Sequence, residues 1–276
     1  MSEDRLIGAI AIIGSVFVVA FCLTPFIYMA VTSFSWNPDF LSAQRALRPT
    51  LHNYHSILTT TSLHFLDYLR NSLIVSGVSA FTCVGIAGLA AYAIARTSFP
   101  GKLAILFGVL AVSMFPQISL VSYLFKFMTR LGWINTYMAL IFPYIAWTLP
   151  LSLWILTSYF SQIPRDLDRA ALVDGCTNWQ IARKIIFPVA APGLFSTALL
   201  AFIFAFNEFM FALMLTTDHH ARTIPVGIAL FQGLHGEIPW GNIMAASTVT
   251  TIPIIVLTIV FQRHIIQGLT RGAVKG

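Results

Sequence analysis

The chain has 276 residues, of which 57% are hydrophobic and only 9% charged, with a formal net charge of +6. A soluble domain carries about 25% charged residues, so this composition cannot clothe a water-exposed surface and lipid must cover part of it. The basic residues are scattered in short stretches between apolar runs and do not gather on one face, which excludes a nucleic-acid-binding reading.

A bilayer core requires about 20 mostly apolar residues per helix. Six segments meet that length: 7–31, 71–95, 103–126, 137–160, 190–216 and 243–262. Transmembrane β-strands are about half as long and alternate in polarity, so the fold expected is an all-α membrane protein with six transmembrane helices. The first run exceeds the about 7–15 residues of a cleaved signal core, and Glu3 and Asp4 stand beside Arg5, so it reads as a retained helix. Pro25, Pro116, Pro143, Pro150 and Pro253 fall inside spans, where neighbouring helices make proline tolerable. Cys22 and Cys83 also lie in spans and Cys176 in a loop, so no disulfide framework is implied.

Between the first two spans, Ser33 to Arg70 reads as an outer loop. Tyr54, Ile57, Leu58 and Leu66 give it a partly apolar face, as expected for a short helix lying on the membrane surface. Orientation follows from lysine and arginine. With both termini inside, the inner segments hold Arg5, Arg96, Lys102, Arg165, Arg169, Arg183, Lys184, Arg263, Arg271 and Lys275. Arg45, Arg48, Arg70, Lys126, Arg130 and Arg222 are left for the outer side. That excess favours cytoplasmic termini.

The segment from Ile163 to Pro192, between spans four and five, is too long for a plain connector. Pro164 suits the first turn of a helix, and Asp166 and Asp168 near the start complement its dipole. Leu167, Ala170 and Ala171 make a small apolar face, and Gly175 supplies a left-handed helix end. A second helix is expected at once: Thr177 and Gln180 form a capping-box pattern. Trp179, Ala182, Ile185 and Ile186 make its apolar face, Arg183 and Lys184 its basic one, and Pro188 its exit. The product is a helical elbow whose alanines permit close approach by another protein. The pattern alone leaves two readings open, a docking element or an interfacial anchor.

This elbow resembles the EAA loop of binding-protein-dependent ABC-importer permeases. That loop reads Glu-Ala-Ala, three residues, glycine, nine residues, then Ile-x-Leu-Pro. The chain has Arg169-Ala170-Ala171, then Gly175, then Ile185-Ile186-Phe187-Pro188 at the same spacings. Arg169 stands where glutamate is usual and Phe187 where leucine is usual, and Asp168, one position earlier, is a candidate substitute acid. Asp174 also fits. NSLIVSG (71–77) resembles the start of the family's conserved core and AYAIAR with FPGK (91–102) its first inner turn, while NEF within AFNEFMFALMLT (205–216) and the tail, Gly268-Leu269-Thr270 and then Gly272 to Gly276 with Lys275, resemble its carbohydrate subgroup.

The resemblance implies a type I ABC-importer permease (MetI-like) fold, with a first helix and outer loop (1–70), a permease core (71–262) and a cytoplasmic tail (263–276). It implies translocation of a sugar across the cytoplasmic membrane, a di- or oligosaccharide such as trehalose or maltose, with glycerol phosphate as the alternative. The implied partners are a second homologous permease subunit, two ATPase subunits that bind ATP and magnesium, and an extracytoplasmic substrate-binding protein. The ATPase-coupling residues it implies are Asp168, Arg169, Ala170, Ala171, Asp174, Gly175, Thr177, Pro188, Gly272, Lys275 and Gly276. The chain lacks a Gly-x-x-x-x-Gly-Lys-Ser/Thr phosphate loop, so it is not expected to be an enzyme or to hold a cofactor of its own. A secondary transporter is a weaker reading, because no internal repeat with paired broken helices stands out.

Asn207 and Glu208 lie in the fifth span, toward its outer end. An acid at that depth costs up to about 3 kcal/mol and usually faces a cavity or a partner. Two readings stay open: a wall of the substrate path, or a packing hydrogen bond within the subunit. His219, His220, His235 and Glu237, in the last outer loop, are spaced too irregularly for a metal site. They read as a solvated loop that touches an external protein.

Overall fold

The computed structural model describes residues 2–36, 49–231 and 238–273. Arg45, Arg48, His235, Glu237, Lys275 and Gly276 lie outside them. Among the described residues the regular elements are helical, with one isolated antiparallel bridge between Ser35 and Pro49. In chain order the helices are α1 (Ser2–Ser33), α2 (His52–Thr59), α3 (Phe65–Arg96), α4 (Lys102–Val112), α5 (Gln117–Arg130), α6 (Tyr137–Gln162), α7 (Asp166–Val173), α8 (Asn178–Ile181), α9 (Phe187–Phe206), α10 (Met210–Leu215), α11 (Ile224–Ala229) and α12 (Trp240–Ala273). Five stretches are long and apolar enough to cross a membrane, and α4 with α5 makes a sixth if that bent pair is one span.

The expected third span is therefore not one helix. Its halves meet at 88° across Ser113–Pro116. Pro116 has no N–H and disfavours helical backbone at the residue before it. The prolines of α6, Pro143 and Pro150, leave that helix continuous. The difference lies in packing. Over half of the apolar window of α6, 56%, is buried against the protein, whereas Met114 and Phe115 at the α4–α5 break are exposed. Neighbours hold α6 through its prolines, whereas residues 113–116 are exposed and lack such packing among the described residues.

The fifth span also differs from the expected 190–216. The helical run starts earlier, at Asn178, and ends at Phe206. Asn207 ends it by folding its Nδ2 back onto the Ile203 carbonyl at 2.8 Å. Residues 210–215 form the separate helix α10.

Two compact units share the chain. Met1–Leu66 with Gly227–Pro253 makes one, and Asp67–Val226 with Ile254–Gly276 the other. In the first, the apolar window of α1 has no buried residue. A helix apolar all round and unburied is one that lipid or another subunit covers. The short helix expected in the first loop is α2, with Ile57 buried and Leu58 exposed. Buried Asn53 fastens it to the end of α1, donating to the carbonyls of Ser33 (2.8 Å) and Ser35 (2.9 Å). Its side chain lies so close to Gly241 that a β-carbon there would sit 2.6 Å from Oδ1.

In the second unit α6 is the central helix. Without a hydrophobic drive between helices in lipid, close packing of small residues does the work. Ala87, Ala91 and Ala95 of α3 and Ala190 of α9 are buried beside Leu153, Leu156 and Phe160 of α6. Gly193 of α9 meets the ring of Tyr159, where a β-carbon would lie 2.7 Å from it. A second cluster, with Val75, Leu140, Tyr144, Phe211 and Leu215, lies toward the start of α3 and of α6.

Candidate functional site

The elbow between α6 and α9 is built largely by local devices. Asp166 and Asp168 stand in the first turn of α7, and the helix begins two residues after Pro164. Its far end is a Schellman motif. Gly175 has φ +79°, the Cys176 N–H donates to the Ala171 carbonyl at 2.9 Å and the Gly175 N–H to the Leu172 carbonyl at 3.1 Å. The next helix opens on the expected capping box: Thr177 N–H donates to Gln180 Oε1 (2.8 Å) and Gln180 N–H to Thr177 Oγ1 (3.3 Å).

Pro188 is not an exit. A π-turn over Ala182–Ile186 carries α8 directly into α9. In an α-helix a proline ring clashes with the carbonyl four residues back, and the wider turn just ahead of Pro188 gives its ring room. The extra residue also rotates everything upstream by roughly 100°. Ile181, Ala182 and Ile186 are consequently buried, and Trp179, expected on that face, is 61% exposed.

The residues expected to dock fall into two sets. Ala171 is only 3% exposed and packs in the cluster with Ala91, Ala95 and Phe160. It therefore does not lie at the crest available to another protein. Ala170 is exposed, and so are the large apolar side chains Leu167, Leu172 and Val173 (89% exposed) of α7 and Trp179 of α8. Arg169 and Asp166 make a solvent-facing pair at 3.4 Å, and Asp174 closes α7. Arg183 and Lys184 are exposed along the second helix. Gly272 lies near the end of α12.

Asp168 is not free either. Arg96, the last residue of α3, donates Nη1 to its Oδ2 at 2.8 Å and Nη2 to the Ile163 carbonyl at 2.7 Å. The Arg96 side chain is 4% exposed and that of Asp168 21%. One turn earlier, the Tyr92 hydroxyl lies 3.4 Å from the Asn178 carbonyl. Sequence reading had Arg96 as an inner charge and as the end of AYAIAR, but its partner Asp168, 72 residues on, follows from no spacing rule.

At the other end of α3, amides hold the 216–224 loop. Asn71 Nδ2 donates to the carbonyls of His219, His220 and Arg222 at 3.0–3.2 Å, and its Oδ1 accepts from the Tyr137 hydroxyl at 2.6 Å. Ser72 Oγ accepts from Ile224 N–H at 2.7 Å. Asn135, with φ +62°, accepts from the N–H groups of Thr217 and Asp218. The loop is thus pinned by bonds within the chain, while His220 stays exposed. Asp218 accepts from the His220 backbone N–H, which holds its carboxyl below the usual range. The His219 and His220 rings stack at 4.3 Å.

Asn207 and Glu208 point apart. Asn207 is exposed, whereas Glu208 is 9% exposed and accepts from the N–H groups of Phe211 (2.9 Å) and Ala212 (3.2 Å) at the start of α10. Both bonds are made within the subunit. A cavity of about 170 Å³ lies between α6 and α9, lined by Trp147, Thr148, Ser152, Thr197 and Phe204, with Ser113 from the α4–α5 break.

Residues 84–271 match the family described as "Binding-protein-dependent transport system inner membrane component". The chain is 57% identical, over the full length of both, to the trehalose/maltose transport system permease protein MalG of Thermococcus litoralis. It is 43% identical to the trehalose transport system permease protein SugB of Mycobacterium tuberculosis, covering 94% of each. Its fold is similar to a chain of a bacterial ABC transporter that imports the acidic polysaccharide alginate. That likeness has a TM-score of 0.77 at 20% identity, over 95% of this chain and 98% of the other.

Proposed function

The chain belongs to the family of binding-protein-dependent transport system inner membrane components, and from that premise we propose that it is the permease subunit of an ATP-driven importer of a trehalose- or maltose-type sugar. The observation that carries the coupling part is the set of exposed apolar side chains on the elbow's two short helices, Leu167, Leu172, Val173 and Trp179, with Ala170 exposed as well. Large apolar groups left open to solvent on an ordered connector point to a contact surface. A separate ATPase docks on this surface. Asp174, Gly175, Thr177 and Pro188 give the surface its shape, Ala171 anchors it, Asp168 orients it, and Arg169 lies at its rim. Gly272, Lys275 and Gly276 of the tail belong to the same side.

In this reading two ATPase subunits hydrolyse ATP with magnesium, a second permease completes the pathway, and a binding protein delivers the sugar from outside. Both termini are cytoplasmic. The sugar class rests on the relatives named for trehalose and maltose. The test is uptake into proteoliposomes holding both permeases and the ATPases, with the cognate binding protein added. Trehalose or maltose uptake that requires ATP is expected, and each sugar should raise the melting temperature of the binding protein. Uptake that persists without ATP overturns the importer reading, and a response to glycerol phosphate alone overturns the sugar. Topology is checked separately with an impermeant thiol reagent: His220→Cys should react from outside and Lys275→Cys should not.

A further inference from the structure

The elbow is joined by the chain itself to α6, across residues 163–165, and to α9, through the π-turn. It has no such connection to α3, which runs on into α4 instead. The polar ties from α3 to the elbow come from its last two turns. Arg96 reaches Asp168 and the Ile163 carbonyl, Tyr92 approaches the Asn178 carbonyl, and the Arg165 guanidinium lies 3.4 Å from the Ala95 carbonyl. The Arg96 guanidinium is the strongest of these by chemistry. It is buried, planar and charged, and its fork bonds the last carbonyl of α6 and the first turn of α7 at once. Through it the ends of three helices are held as one body.

The opposite end of the same helix carries a matching joint. Asn71 binds three carbonyls of the 216–224 loop and Ser72 a fourth backbone group, the Ile224 N–H. Asn71 and Arg96 are 25 residues apart on one uninterrupted helix, a span of roughly 37 Å at 1.5 Å per residue. That is enough to cross a hydrocarbon core of about 30 Å. One helix therefore grips the candidate ATPase surface at one end and the loop at the far side of the membrane at the other.

We propose that α3 is the strut that carries movement between the elbow and the 216–224 loop, with Arg96 as its inner positioning residue and Asn71 as its outer one. When the elbow shifts, the guanidinium fork drags the end of α3 with it, and the three-carbonyl clasp of Asn71 passes the displacement to the loop. By the same linkage, engagement of the loop from outside biases the elbow. Both side chains are buried, Asn71 at 3% and Arg96 at 4% exposure. This inference rests on the permease reading above.

The experiment uses the assembled transporter, with both permeases and the ATPases, and a binding protein loaded with trehalose or maltose. It reads the ratio of ATP hydrolysis with and without the loaded binding protein, per assembled complex. Arg96→Met and Asn71→Ala should each lower that ratio about tenfold while the ATPase still co-purifies. Arg96→Lys, which keeps charge but loses the fork, should fall between Arg96→Met and wild type. The double variant should be no worse than the more severe single one, because both interrupt one element. Asp168→Asn, nearly isosteric, serves where Arg96→Met does not assemble, and should also lower the ratio. An unchanged ratio in the assembled variants overturns the strut, as does a double variant whose losses multiply, which marks two independent effects. A purely structural role would change the amount of complex and leave the ratio alone. If the wild-type complex is not stimulated by either loaded sugar, the permease reading has failed instead.

Discussion

The elbow and the 216–224 loop are both ordered connectors, but they are ordered by different means. In the elbow the closing bonds are short in sequence: Cys176 to Ala171, Gly175 to Leu172, Thr177 to Gln180. In the loop they come from far away, as Asn71 and Asn135 reach across the chain to residues 217–222. A connector built by local caps keeps its shape through its own residues. One built by remote amides has the shape its neighbours impose, and substitutions outside it can undo it.

The sharpest way to break that contrast is to strike the elbow where it meets the rest of the protein. Ala171→Trp should overfill the cluster around Ala91 and Phe160, at about 1–3 kcal/mol. Uptake should be lost while the chain still inserts, and thermal unfolding of the purified complex should move down. Full uptake with an unshifted midpoint would show that Ala171 is not packed as described. Gly175→Val comes next. Open space surrounds the missing β-carbon, so the cost is conformational, about 1–2 kcal/mol for a left-handed residue. The local account requires that hydrogen exchange rise in 170–180 and stay unchanged in 216–224.

Asn135→Ala tests the other half of the comparison. Its amide leaves the Thr217 and Asp218 N–H groups without their acceptor, at about 1 kcal/mol. Exchange and protease sensitivity should rise at 217–222 and not in the elbow. The smallest effect is on pH. The Asp218 carboxyl is held below its ordinary value by the His220 N–H, so its contribution is present above an unfolded pKa of about 3.9. It is lost as pH falls through the lower folded value. The Asp218 contribution to loop protection should therefore be constant down to about pH 4 and be lost only in stronger acid, and Asp218→Asn should abolish that loss.

What was legible in the sequence follows the same division. The Schellman glycine, the capping box and the elbow's spacing are local, and they stand in the structure where the residues put them. Arg96 with Asp168, and Asn71 with three loop carbonyls, join residues 72 to 151 positions apart. Neither pairing has a spacing rule. Glu208 was visible as an odd acid, but its two backbone partners depend on the chain breaking at Asn207.

Composition alone placed this chain in lipid, because 9% charge cannot cover a soluble surface, and run lengths alone located five spans and the apolar stretch that became the bent pair. The tertiary structure decided which proline breaks its helix, which face of the elbow turns inward and what Asp168 binds. Hydrophobic periodicity reads a face by the contrast between apolar protein and water. In a membrane the surroundings of a span are as apolar as its packed face, so Pro116 and Pro150 look alike until neighbouring helices are in place, and in the elbow it was the π-turn that put Ile181 inside and Trp179 outside.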